Sequence, residues 1–229
     1  MREALANGAV LVWRVPVRDD CPTALLSDDE QDRANRLRQE DARHRFVSSR
    51  TALRTILGKL LEKEPGALAF DAGEHGKPFL ASPASSLNFN AAHSGDKVLI
   101  AIADTLEVGV DIEVIEAGRD LEGIAHRYFR PEEYTALARL PDDERPQVFT
   151  QVWTRKEAYL KARGTGIRGG LASFSVSIPP QPPKLTGGTD GGTWSMADIA
   201  CGEGYAATVC AAGGPLQVLI RDWEWGAQP

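Results

Sequence analysis

In Val108-Gly-Val-Asp-Ile-Glu-Val114, apolar side chains alternate without a break with small or acidic ones. Val108, Val110, Ile112 and Val114 share one parity, and Gly109, Asp111 and Glu113 share the other. Successive side chains of an extended chain point to opposite faces, so this period of two specifies a strand with both carboxylates on one face. Taken alone, the pattern also suits an ordinary amphipathic strand whose acidic face meets water. A third acidic group presented to the same place decides between the two readings.

Downstream, Val152-Trp-Thr-Arg-Lys-Glu-Ala-Tyr-Leu-Lys-Ala162 supplies such a group. Trp153, Glu157 and Lys161 stand four apart and drift only about 40° per step around a helix of 3.6 residues per turn. Val148, Val152 and Tyr159 form a separate stripe suited to a core. The Glu157 to Lys161 spacing also fits a surface pair, with Trp153 as packing. Together, Asp111, Glu113 and Glu157 make an all-oxygen trio suited to Mg²⁺, which takes a few carboxylates and fills its octahedron with water and phosphate oxygens. The sequence offers no His or Cys cluster as a competing soft site.

Working outward, the apolar run 10–15 predicts a strand. Residues 27–61 predict one long charged helix, with Ser27 as N-cap, Glu30 at N3, and Pro65 and Gly66 beyond its end. Strands are expected at 78–80, 87–90 and 98–103. After 108–114 come helices at 121–128, 131–140 and 147–163, then strands at 173–178, 194–200, 205–210 and 216–220. The Pro-, Gly- and Thr-rich stretch 179–193 reads as an exposed loop. Each half is therefore mixed α/β, with the boundary near Asp104: an N-terminal subdomain over 1–104, and a C-terminal one over 105–229 carrying the metal site. Gly164-Thr-Gly-Ile-Arg-Gly169 fits GxGxxG but follows a helix, where a dinucleotide fingerprint follows a strand; its glycines instead end that helix, with Gly164 at the cap.

Composition sets outer limits. With 42% hydrophobic and 25% charged residues, the chain can bury a substantial core and is neither disordered nor fibrous. A net charge of −6 leaves no electrostatic footprint for nucleic acid. The three cysteines, Cys21, Cys201 and Cys210, are far apart and contain no CxxC pair, so reduced structural thiols are expected. The start of the chain has only a short apolar run at 9–12, which predicts no signal peptide, no membrane span and a cytoplasmic protein.

Two further segments, Gly73-Glu-His-Gly-Lys-Pro78 and Asn88-Phe-Asn-Ala-Ala-His-Ser-Gly95, read locally as a turn and a strand end. Taken in order, however, Gly76-Lys-Pro78, Asn90-Ala-Ala-His-Ser-Gly95, Gly109-Val-Asp-Ile-Glu113 and Trp153-Thr-Arg-Lys-Glu-Ala-Tyr-Leu-Lys161 resemble the successive signatures of Sfp-like 4′-phosphopantetheinyl transferases. The resemblance covers roughly residue 27 onward, in the branch with Lys-Glu-Ala at 156–158. It implies an α+β fold of two similar α/β subdomains in one chain, a pseudo-dimer that acts as a monomer, with coenzyme A in the cleft between them. It further implies that Asp111, Glu113 and Glu157 hold Mg²⁺ and that Lys161 neutralises phosphate charge. Arg45, Lys77, Pro78 and His93 then position the coenzyme, and Glu157 takes a second role as base. In two places the chain departs from the pattern. Ala92 stands where such proteins often have Ser before the motif His, and the basic pair near the start of the long helix is here Glu30 and Arg33, leaving Arg33 as the candidate cation.

The reaction implied is transfer of phosphopantetheine to a serine of an apo acyl or peptidyl carrier protein, releasing 3′,5′-ADP. A serine hydroxyl must lose its proton as it attacks, and phosphoryl transfer depends chiefly on positioning and charge neutralisation. The other readings are a non-catalytic coenzyme A or nucleotide-binding module and an Mg²⁺ pyrophosphatase. A binding module needs neither a base nor a metal on the scissile group, and a hydrolase needs no carrier.

Overall fold

The structure, a computed structural model, describes residues 1–118, 120–166, 170–188 and 191–226. The chain opens with α1 (Arg2–Ala6) and β1 (Val10–Pro16), followed by α2 (Asp28–Arg36) and α3 (Glu40–Leu61). Next come β2 (Ala69–Ala72), β3 (Pro78–Ser82), β4 (Leu87–Ser94), β5 (Lys97–Asp104) and β6 (Val108–Val114). Helices α4 (Leu121–Tyr128), α5 (Pro131–Ala138) and α6 (Arg145–Arg163) lead to β7 (Ser175–Val176), β8 (Leu185–Gly187), β9 (Trp194–Asp198), β10 (Tyr205–Ala212) and β11 (Val218–Asp222). The fold is α+β.

Alternation along the strands builds the layers. Leu11, Trp13 and Val15 of β1, with Val98, Ile100 and Ile102 of β5, pack against Leu53, Ile56, Leu57 and Leu60 of α3. The opposite parity of the same strands, Val10, Val12, Leu99 and Ala101, meets Val108, Val110 and Ile112 of β6 and Val209 and Ala211 of β10. The far side of that second sheet, with Met196 and Cys210, packs against Val152, Ala158, Tyr159 and Leu160 of α6. Two sheets, β11-β1-β5-β4 and β6-β10-β9, therefore share an inner core, with α3 and α6 on their outer faces. Cys21, Cys201 and Cys210 are free and buried, as expected. Among the described residues no helix is long and apolar enough to cross a membrane.

The structure corrects two expectations. The single helix over 27–61 is two helices, broken where Leu37 and Gln39 adopt extended backbone. The Ser27 and Glu30 capping box is present, but Glu30 also accepts from Arg50 Nε at 2.5 Å and Arg54 Nε at 2.7 Å. In one continuous helix residues 30 and 50 would lie about 30 Å apart, so this buried ion cluster requires α2 to fold back on α3. Second, the stretch 179–193 contains β8, which pairs with a β7 shorter than expected; residues 189 and 190 lie outside the described residues. Beyond residue 104, β11 returns to pair in parallel with β1 at the edge of the first sheet.

Candidate active site

Both arms of the acidic trio rest on one close approach. The face of β6 that carries Gly109, Asp111 and Glu113 lies on α6, and a Cβ at Gly109 would collide with the Ala158 carbonyl and the Ala162 amide. Glycine lets the strand sit on the helix backbone, which brings Asp111 beneath Lys161. Lys161 Nζ donates to Asp111 Oδ1 at 2.5 Å, while Asp111 Oδ2 and Glu157 Oε1 are buried without a hydrogen-bond partner.

The electrostatics follow from this packing. Burial raises the Asp111 carboxyl from 3.8 to about 7; Lys161 pulls it down, and Glu113 and Glu157 push it further up. Glu157 is raised as well, first by burial and then by Glu113, with Lys161 opposing. An acid that remains raised although a lysine touches it, and that keeps a buried oxygen unfilled, is short of positive charge. Among the described residues, however, no three acidic, His or Cys groups stand close enough together to form a finished metal cluster. The trio shares a region and a field but has not converged.

Glu113 is half-buried and accepts at Oε2 from Ser94 Oγ at 2.9 Å. Beside Ser94 on β4, His93 is exposed at its rim. Its imidazole is held below the ordinary value by desolvation of the ring, then by Arg45, Lys161 and Arg33. Those four residues thus share one electropositive neighbourhood next to the trio. Arg45 Nη1 reaches the Gly95 carbonyl at 3.5 Å, and Arg33 lies over the Phe46 ring, 5.1 Å from its centroid. Lys77 is placed differently: its ammonium donates to Glu107 Oε2 and the Ala162 carbonyl, both at 2.8 Å, tying the loop before β3 to the end of α6. Lys77 and Pro78 border a cavity of about 270 Å³ with His75, Phe79 and Arg163. Gly164 caps α6 in the left-handed region, at φ 68°, whereas residues 167–169 of the GxGxxG stretch lie outside the described residues.

The match with known proteins covers both halves of this arrangement. Residues 14–105 match the model for the N-terminal region of 4′-phosphopantetheinyl transferases, and residues 107–210 match that for the 4′-phosphopantetheinyl transferase superfamily. The 4′-phosphopantetheinyl transferase HetI of Nostoc sp. is 38% identical over 219 residues, spanning 91% of this chain and 90% of that protein. The chain belongs to the 4′-phosphopantetheinyl transferase superfamily. Similar to it also are the 4′-phosphopantetheinyl transferase Sfp of Bacillus subtilis, 29% identical over 155 residues (68% of this chain, 67% of that protein), and the 4′-phosphopantetheinyl transferase AcpT of Escherichia coli O157:H7, 36% identical over 126 residues (55% and 60%).

In this superfamily member the α6 motif also carries two buried cations. Lys156 is fully buried and donates to both Glu133 oxygens and to the Phe174 carbonyl, at 2.7 to 2.8 Å. Glu133 in turn accepts from the Arg130 and Val176 amides, so the buried pair is saturated. Arg155 binds Asp198 and the Ser177 carbonyl. Residues 154–160 are buried without interruption, so α6 runs through the second half as an enclosed rod. The distant partners Glu133 and Asp198 account for the burial of the charges at 155 and 156.

Proposed function

We propose that this protein transfers the 4′-phosphopantetheine arm of coenzyme A to a serine hydroxyl of an apo acyl or peptidyl carrier protein, releasing 3′,5′-ADP, with Mg²⁺ held by Asp111, Glu113 and Glu157. The observation that carries this reading is the pair of unpartnered buried oxygens, Asp111 Oδ2 and Glu157 Oε1, on acids raised by burial, with Lys161 already bound to Asp111. An oxygen-only donor set short of positive charge fits a hard divalent cation. When bound, that ion supplies charge neutralisation for the coenzyme pyrophosphate.

The chain's own residues do the rest. Lys161 exchanges its Asp111 contact for a phosphate oxygen and offsets the charge growing on the leaving 3′,5′-ADP. Glu157 accepts the proton of the serine hydroxyl as that oxygen attacks the pantetheine-side phosphorus. His93, Arg45 and Arg33 meet the anionic coenzyme from the neighbouring electropositive patch, and Lys77 and Pro78 border its cavity. We further propose that the chain divides near Asp104 into two similar α/β subdomains, 1–104 and 105–229, arranged as a pseudo-dimer with the site in the cleft between them. The placement of α3 and α6 on the outer faces of two sheets with a common core supports this reading. A monomer working in the cytoplasm, with no nucleic acid or membrane partner, completes the proposal.

The test is direct. Incubation with Mg²⁺, coenzyme A and an apo carrier should add one phosphopantetheine to the carrier, read by mass spectrometry, and Asp111→Ala should abolish the gain in a folded protein. Coenzyme A binding with no mass gain on any apo carrier would favour a binding module. Breakdown of coenzyme A without a carrier would favour a hydrolase.

A further inference from the structure

The two sheets meet along β4 and β6, and no backbone ladder joins these strands. Side chains bridge the gap instead. Asn90 and Ser94 stand four apart on β4, while Val110 and Val114 stand four apart on β6. Asn90 Oδ1 accepts the Val110 N–H at 2.9 Å, and Ser94 Oγ accepts the Val114 N–H at 3.1 Å. Asp111 and Glu113 lie between these two anchor points.

Ser94 has a second bond that fixes its hydroxyl. A serine hydroxyl has one proton to donate, and with the Val114 N–H on its acceptor side that proton goes to Glu113 Oε2, at 2.9 Å. The bond takes up part of one carboxylate oxygen and leaves the rest of Glu113 available to a cation. Ser94 also follows His93 directly, so one residue links the coenzyme-facing strand to the strand that carries the acids.

We propose that Ser94 is a positioning residue: it orients the Glu113 carboxylate toward the cation and locks β6 against the His93 strand, with Asn90 fixing the other end of the seam. This rests on reading Glu113 as a metal ligand. Groups that hydrogen-bond a ligating side chain typically change metal affinity or activity by 10- to 100-fold.

The experiment measures Mn²⁺ and Mg²⁺ binding to the full chain by calorimetry without substrates, alongside transfer titrated with Mg²⁺. Ser94→Ala should weaken ion binding about 10- to 100-fold and raise the Mg²⁺ needed for half-maximal transfer to match. At saturating Mg²⁺ its KM for coenzyme A should stay within a few-fold of the parent. Ser94→Thr keeps the hydroxyl and should restore most of the affinity. Should Ser94→Ala not fold, Ser94→Thr against Ser94→Val carries the same comparison, since they differ by a hydroxyl for a methyl. In a Glu113→Gln background, removing the Ser94 hydroxyl should cost little more. Undiminished ion binding by a folded Ser94→Ala protein, or an equal further loss in the Glu113→Gln background, overturns the proposal. A parent protein that binds neither ion overturns the metal reading along with it.

Discussion

Without a bound cation, Asp111 costs the fold stability at neutral pH and above. Its carboxyl is raised from 3.8 to about 7 in the fold, so across that window the native state keeps a proton that the unfolded chain has lost. Stability from this group is present below the lower value and is lost as pH rises through the upper one. Asp111→Asn removes the titration; in chelator at pH 8 it should melt above the parent, with the gap closing toward pH 4, while transfer is lost. Equal melting curves at pH 8 would mean that Lys161 fully compensates the buried charge. Glu157 makes a different prediction. Glu157→Gln keeps an oxygen for the ion but cannot accept the serine proton, so kcat should fall ~10² to 10⁴-fold with coenzyme A binding retained. Transfer within a few-fold of the parent would confine Glu157 to binding the ion. That Asp111 and Glu157 both lie near Lys161 was legible in the sequence, because period two and period four each place side chains on one face. The contacts of the Ser94 hydroxyl were not, since they depend on which strand lies opposite.

At the scale of elements, the sequence located what local rules govern. The strand over 108–114 and the helix over 121–128 have the bounds their patterns predict, the latter opened by Asp120, whose side chain accepts the Gly123 amide at 2.9 Å. The break between α2 and α3 was hidden because Leu37-Arg38-Gln39 contains no Gly or Pro; the packing of Glu30 on Arg50 and Arg54 imposes it. The burial of Lys156 was hidden for a related reason, since lysine is almost never fully buried unless paired, and its partner lies on another helix. That pair gives α6 its position: Lys156→Ala strands Glu133 in the core and should destabilise the protein by about 3–5 kcal/mol, measured by denaturant unfolding. A loss below 1 kcal/mol would show that Glu133 takes up a proton or water without strain on the fold.

For the whole molecule, β11 couples the ends of the chain. It pairs with β1 from Val10↔Val218 to Arg14↔Asp222, Arg14 grips Asp222 with two hydrogen bonds, and Trp223 packs edge-on to Trp13. Periodicity revealed a strand near 216–220 but not its place, because a pairing across more than two hundred residues leaves no local trace. If the chain is cut near Asp104 and the pieces are produced together, they should copurify only when the second piece retains residues 216–226. Stable association without them would reduce β11 to an ornament of the first sheet.

This closure also bears on how the protein is made. Val10 leaves the ribosome long before Val218 exists, so the earliest sheet waits for the last strand, and β1 spends most of synthesis with one edge unpaired. Contacts so distant in sequence form slowly and leave exposed edges open to wrong partners. A prematurely terminated product would therefore lack a finished first half as well as its tail, and quality control would meet an open strand rather than a half-working enzyme.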